Sequence, residues 1–302
     1  TMKVPVFECM LADDSKKHEK KMTGDVYVEP KLDGVRVITI CDVDKDEVKM
    51  FSRNGKELNN FPKILEQFDT MLDQMSESMV FDGEVMSDDF QTLMREIHRK
   101  GGAKTDDAVL NLFDCIPLWA FKEGGYSGSL TVRKGMLNEY EFGPNISTVE
   151  YVRINLDEDD GQKQFADYNK LCIDKGFEGI MVKPMGGQYE CKRSSLWLKV
   201  KPFIEVSLKV VDTEEGTGRN AGKLGALIVE GTDMDKFIKT NVGSGLTDTD
   251  RETFWKAKDK LIGQIVEVRA DAITQNQDSN NEWSLRFPRF LRFRGFEVGE
   301  KL

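Results

Sequence analysis

After Phe203 the pattern of the chain changes, and that change limits its architecture more than any other feature. Between Asp25 and Pro202 strand-like and helix-like runs alternate irregularly. Beyond it come "EVSLKVVDTEEG", "LGALIVEG", "FIKTNVG", "QIVEVRADAIT" and "EWSLRFPRFLRFRG" around one helix-like run, "TDTDRETFWKAKDKLIG". About five short strands with one helix in roughly a hundred residues outline a small closed β-barrel of OB type. The chain therefore reads as an α+β domain over residues 1–203 with mixed and antiparallel sheets, followed by an OB-fold barrel over residues 204–302. No Pro- or Gly-rich linker separates them, which predicts a shared hinge near Lys201–Val206.

In the first part, "DVYVEP" and "VRVITI" read as strands joined by a turn at Lys31, and "EVKMFSRNG" as a third that ends at Asn54-Gly55. "FPKILEQFDTMLDQM" places Phe61, Ile64, Leu65, Phe68, Met71 and Leu72 at helical spacing, with Pro62 in the first turn. "SMVFDGEVMS" returns to strand. "DDFQTLMREIHRK" repeats helical spacing at Phe90, Leu93, Met94 and Ile97; its Arg95, His98, Arg99 and Lys100 suit a solvated face or contact with a DNA backbone. Strand "AVLNLFDCIPL", a helix from Leu130 to Glu141, strand "TVEYVRIN", helix "GQKQFADYNKLCIDKG" and strands "EGIMVKP" and "LWLKVKP" complete the series.

Composition narrows the class. With 302 residues and 39% hydrophobic content the chain can bury a sizeable core, and its net charge of −10 gives no global signal for a polyanion. Any nucleic-acid surface must be local. The five cysteines, Cys9, Cys41, Cys115, Cys172 and Cys191, are widely spaced, without a C-x-x-C or a His partner at metal spacing, and read as reduced structural thiols of a cytoplasmic protein. No signal peptide or 18-residue apolar run occurs, so no membrane association is expected, and Thr1 ahead of Met2 reads as a cloning remnant. No heptad seam appears, and a monomer is expected.

The turn "KLDGVR" carries the chemical signal. Lys31 and Asp33 project to one side if the backbone is extended, and Gly34 allows a close approach to a ligand. A lysine amine there is a candidate covalent nucleophile, activated by desolvation or by neighbouring cations such as Arg36. At about 6% for each charged type and about 7% for glycine, K-x-D-G-x-R occurs by chance on the order of once in 10⁵ positions, so it is informative. A salt-bridged hairpin would nevertheless use the same residues.

Its company separates the two readings. "SRNGKEL" (Ser52 to Leu58), "FDGEV" (Phe81 to Val85), "LFDCIPL" (Leu112 to Leu118), "EGIMVKP" (Glu178 to Pro184) and "WLKVKP" (Trp197 to Pro202) follow in order, and "EEGTGRNAGKLGALIVE" opens the second part. Together these resemble the ordered motifs of covalent nucleotidyltransferases, specifically ATP-dependent DNA ligases, over nearly the whole chain. The resemblance implies that Lys31 attacks the α-phosphate of ATP and carries AMP as a phosphoamide. It implies that Glu29 recognises the adenine amino group, that Arg36 and Arg53 contact the sugar and the nick phosphate, and that Phe113 stacks on adenine. Glu84 and Glu178 match metal-associated carboxylates, which suit Mg²⁺ or Mn²⁺. Lys183, Lys199 and Lys201 match cations that stabilise the phosphates, Lys199 and Lys201 alternating onto one strand face. Taken alone, each of these charges is as well a surface ion pair, and Phe113 a core residue.

The pattern departs from many relatives at its end. An R-x-D-K motif that orients pyrophosphate is missing; "RFPRFLRFRGFEVGEKL" offers Arg286, Arg289, Arg292 and Arg294 without an Asp-Lys pair. These arginines and Arg219 are candidates for DNA or pyrophosphate contact, or a solvated basic edge. The resemblance also implies a minimal two-domain enzyme of phage or compact-bacterial type acting on nicked double-stranded DNA. It would lack the helical DNA-binding domain of large cellular ligases and the appendages of NAD-dependent ones. Two readings compete: an RNA ligase or mRNA-capping guanylyltransferase on a similar lysine motif, and a non-catalytic OB-type DNA-binding protein.

Overall fold

The computed structural model describes residues 7–86, 108–275 and 282–295, so the expected basic helix at "DDFQTLMREIHRK" lies outside the described residues. The chain divides into two compact units, Thr1–Val200 and Lys201–Leu302.

Strands of the first unit are β1 (Leu11–Asp14), β2 (Asp25–Pro30), β3 (Val35–Asp42), β4 (Glu47–Phe51), β5 (Met79–Met86), β6 (Val109–Pro117), β7 (Gly125–Tyr126), β8 (Ile146–Thr148), β9 (Val152–Asn155), β10 (Ile180–Pro184), β11 (Tyr189–Glu190) and β12 (Arg193–Val200). Its helices are α1 (Pro62–Leu72), α2 (Leu118–Lys122), α3 (Leu130–Asn138) and α4 (Asp159–Asp174). One five-stranded sheet runs β1-β12-β10-β2-β9, another β4-β3-β5-β6-β8, and β7 and β11 pair separately. Most neighbours are antiparallel; β1 with β12 and β6 with β8 are parallel.

The two strands flank Lys31 as expected, and the competing hairpin reading falls: β2 belongs to the first sheet and β3 to the second, so the lysine segment crosses between sheets. One expectation changes. The single run "TVEYVRIN" is two strands in different sheets, β8 ending at Thr148 and β9 starting at Val152.

The period-2 alternation of side chains decides which residues meet. Val26 and Val28, Ile180 and Val182, and Leu198 pack with Cys172 of α4 on one side of the first sheet. Glu29, Met181, Lys183, Trp197 and Lys199 have the opposite parity. On the second sheet Phe81 and Val85 face α1, whose Ile64, Phe68, Met71 and Leu72 fill the core as their spacing predicts. Ile38 and Val80, of the other parity, join Met10, Ile116, Tyr189 and Trp197 in a core between the sheets. Arg36, Asp82 and Glu84 share that parity.

The second unit comprises β13 (Ile204–Glu215), β14 (Leu224–Asp233), β15 (Lys236–Val242), α5 (Asp248–Lys256), α6 (Lys258–Leu261), β16 (Ile265–Ala270), β17 (Ala272–Gln275), β18 (Trp283–Arg286) and β19 (Arg289–Gly295). Ladders run β15-β14-β13-β16-β19, and the bridge between Ser244 and Arg289 joins β19 back to the end of β15. Five strands thus close into a barrel, with Val206, Leu208, Val229, Val266 and Val268 among its buried interior. Gly245 permits the closure: its φ is +85°, and a Cβ would stand 2.6 Å from the Phe290 carbonyl. The last two strand-like runs each break, one at Asp271 and one at Phe287-Pro288, which frees β17 and β18 to pair as an added hairpin. The expected single helix also breaks, at Ala257.

All five cysteines are buried free thiols, as expected of structural residues. Burial pushes Cys9 up to about 11, and Cys41 and Cys191 up to about 12. Among the described residues no helix is long and apolar enough to cross a membrane.

Candidate active site

Lys31 follows directly on the last residue of β2, where the chain leaves one sheet for the other. Its N–H donates to the Gly179 carbonyl at 2.9 Å, and its Nζ lies 2.9 Å from Glu178 Oε2. About a fifth of each side chain is accessible, 21% for Lys31 and 17% for Glu178, so a ligand can reach the pair. The Gly34 N–H donates to Glu84 Oε2 at 3.1 Å, and a Cβ on Gly34 would come within 2.3 Å of the Val85 carbonyl. Both candidate metal carboxylates therefore bond the lysine turn. Among the described residues no three His, Cys, Asp or Glu side chains converge into a closed cage for a metal ion.

Glu29 lies two residues before Lys31 and is 1% exposed. Lys183 Nζ donates to its Oε2 at 2.6 Å, and Lys134 Nζ donates to Oε1. Burial alone would raise the Glu29 carboxyl, but Lys134 and Lys183 hold it below the usual carboxylate range. Its share of stability is therefore fully present above the unfolded carboxyl value and is lost only as pH falls through the lower folded one. Lys183 is pushed below the ordinary lysine range by burial, opposed by Glu29. Its ammonium also lies 4.5 Å from the Phe113 ring centre and 4.3 Å from that of Trp197. Trp197 Nε1 is a buried donor without a partner among the described residues, available to water or to a bound molecule.

Arg36 lies against the same two rings, its guanidinium carbon 5.3 Å from the Phe113 centre and 5.4 Å from that of Trp197. It donates from Nε and Nη2 to the two oxygens of Asp82, at 2.5 and 2.6 Å, and from Nη2 to the Met10 carbonyl at 2.7 Å. Burial works against its charge and Asp82 more than restores it. Tyr189 completes the network by donating its hydroxyl to Asp82 at 2.7 Å. A carboxylate, Glu178, bonds the Lys31 amine, and Asp82 compensates Arg36.

Arg53 lies half-buried on the turn after β4, where Gly55 adopts a φ of +83°, as Asn54-Gly55 predicts. Phe113 is on β6, edge-on to Trp197 at 5.5 Å. Lys199 is on the inward-parity face of β12, but Lys201 does not continue that strand. It falls in the second unit, ahead of Pro202, and pairs with Glu205 at 3.1 Å.

In the second unit Arg292 and Arg294 both bind the buried Glu267, at 2.9 and 2.7 Å, and Arg289 pairs with Asp271 at 3.1 Å. Arg269 joins Glu205 at 2.7 Å. Burial raises the Glu205 carboxyl, but Lys201, Glu267 and Arg269 together hold it far below its usual range. Arg219 and Arg286 are exposed.

Sequence reasoning missed Lys134, Asp82, Trp197 and the buried pair Arg133–Asp114, joined at 2.8 and 3.1 Å. Lys134 and Glu29 are 105 positions apart, and no local pattern links them.

Comparison with known proteins bears on the family of the chain. Residues 9–201 match the family model described as ATP dependent DNA ligase domain, and residues 215–294 the one described as DNA ligase OB-like domain. The DNA ligase of Natronomonas pharaonis is 30% identical over 298 residues, which cover 90% of this chain and 52% of that protein. The DNA ligase of Haloarcula marismortui is 30% identical over 294 residues, covering 88% and 51% respectively. This chain thus spans about half the length of the curated relatives it matches. A solved structure titled Pmar-Lig_PreS3 is 47% identical with a TM-score of 0.66, over 96% of this chain and 68% of that one. A nucleotidyltransferase unit with a lysine at the sheet crossover, an OB-like barrel after it, and family models matched across both: on these grounds the chain belongs to the ATP-dependent DNA ligase family.

Proposed function

We propose that the chain seals nicks in duplex DNA at the expense of ATP, with Lys31 as the nucleophile. The observation that carries this reading is the accessible Lys31 amine 2.9 Å from Glu178, one residue beyond a strand whose Glu29 is a buried, ionised acceptor for a base amino group. Glu178 takes the ammonium proton; the freed amine attacks the α-phosphorus of ATP, the P–N bond forms, and the P–O bond to pyrophosphate breaks. AMP then passes to the 5′-phosphate of the nick. Attack by the 3′-hydroxyl closes the phosphodiester and releases AMP. Such transfers need positioning and charge neutralisation more than side-chain chemistry, and Lys183, Lys199 and Arg53 supply cations for it.

Glu84 and Glu178, two oxygen donors bonded to the lysine turn, would hold a hard cation such as Mg²⁺ or Mn²⁺. Bound there, it would neutralise phosphate charge. In the barrel Arg292 and Arg294, set on one carboxylate, take the place of the missing R-x-D-K group toward pyrophosphate, and Arg219, Arg286 and Arg289 face the DNA backbone. The enzyme acts as a monomer.

Incubation with α-labelled ATP and Mg²⁺, denaturing separation and a chase with nicked duplex test the reading. A covalent AMP adduct that discharges into sealed DNA supports it. A GMP adduct from GTP would favour capping chemistry, and nick binding without any adduct a binding module. Because a nick offers little base sequence to read, the interface rests on phosphates. Affinity for a nicked duplex should fall by about 10²-fold or more between 50 and 200 mM salt, measured by anisotropy; a flat response counts against such an interface.

A further inference from the structure

Among the described residues the Glu29 carboxylate has two cationic partners, Lys134 and Lys183, and only Lys183 belongs to the motif set of the sequence. Lys134 comes from α3 and donates to Glu29 Oε1 and to the Phe113 carbonyl at 3.0 Å, while its ammonium faces the Tyr151 ring at 4.6 Å. It is 3% exposed, so water does not supply its partners. It therefore ties the base-reading carboxylate to the strand that carries Phe113.

From this geometry we infer that Lys134 is a positioning residue that sets nucleobase specificity, fixing Glu29 as an acceptor that selects 6-amino over 6-oxo purines. The inference rests on the proposed nucleotide transfer. An ionised carboxylate offers about four lone-pair sites and no proton. The two ammoniums occupy one on each oxygen, which fixes the plane of the group and leaves acceptor positions for an amino N–H. A purine carbonyl oxygen meets the same lone pairs and is repelled. With Lys134 removed, the buried carboxylate keeps one ammonium only. Desolvation then favours its protonated form, which can donate to a carbonyl oxygen and so admits the 6-oxo base.

Among the described residues the charged and titratable groups around this centre include the Tyr151 phenol, which faces Lys134. Lys134 faces Glu29 from α3 and Lys183 from β10. Asp114 of β6, bound to Arg133, acts on Lys183, and the Tyr168 phenol of α4 senses Glu29. Lys134 is thus one of the two cations in contact with the carboxylate.

The test measures adduct formation with ATP and with inosine triphosphate across pH 6 to 9, for wild type, Lys134→Met and Lys134→Arg. Wild type should prefer ATP by about 10²-fold or more, independent of pH. Lys134→Met should lower that ratio at least about tenfold and make it fall further as pH drops, and Lys134→Arg should restore much of it. If both nucleotides lose activity together in Lys134→Met, at constant ratio and without pH dependence, Lys134 only anchors α3 and the inference is overturned. Should Lys134→Met not fold, Lys134→Gln removes the charge while keeping a donor, and the same ratio decides. Wild type that forms no adduct with either nucleotide overturns the proposed function itself; wild type that forms one beside an unchanged variant ratio overturns the role of Lys134 alone.

Discussion

Lys31→Ala should abolish the covalent AMP adduct, lowering its rate of formation on the order of 10⁴-fold or more, because it removes the amine that makes the attack. Lys31→Arg should fare no better, since a guanidinium does not release its proton. Stability should barely change: the Lys31–Glu178 pair is partly solvated, and such pairs are worth about 0–1 kcal/mol. Labelling with α-labelled ATP beside a thermal melt separates the two effects. An adduct at full yield in the alanine variant would remove Lys31 from the mechanism.

The opposite profile belongs to Arg133. Its guanidinium and the Asp114 carboxylate are 1% and 0% exposed, and it also donates to the Gly128 and Gly187 carbonyls at 2.7 Å. Arg133→Met leaves a buried, uncompensated carboxylate and should cost about 3–5 kcal/mol. For a unit of this size that is a fall of roughly 6–20 °C in Tm. Adding Asp114→Asn, which removes the stranded charge but keeps an acceptor for the Cys115 N–H, should recover at least about 1 kcal/mol. A double variant no more stable than the single one would mean that the carbonyl contacts, not the charge, carry the energy.

The two profiles follow how much of each could be read from the chain. Features set by neighbours in sequence were legible: the alternation of Val26 and Val28 against Glu29, the helical spacing of Phe61 to Leu72, the glycine turn at Gly55, and the ordered motifs that bring Lys31, Glu84 and Glu178 to one turn. Features set by a distant partner were not. Nothing in K-x-D-G says whether the next strand folds back or crosses to another sheet, because either path satisfies the local backbone. Arg133 and Lys134 sit on a helix of weak amphipathic pattern, and their roles are defined by Asp114 and Glu29, which reach them from other strands. Likewise Arg292 and Arg294 look like a free basic edge until Glu267 of β16 is seen beneath them.

The parallel pairing of β1 with β12 sets a schedule for synthesis. Leu11 takes its place beside Arg193, and the Met10 N–H meets the Tyr189 hydroxyl 179 positions later in the chain. At roughly 5–20 residues per second, about 10–35 s pass on the ribosome between the two partners. Glu178, Lys183 and Trp197 emerge near the end of the same interval. Until then a nascent chain displays the Lys31 loop without its Glu178 partner, so this unit completes that pair only when its last strands leave the exit tunnel.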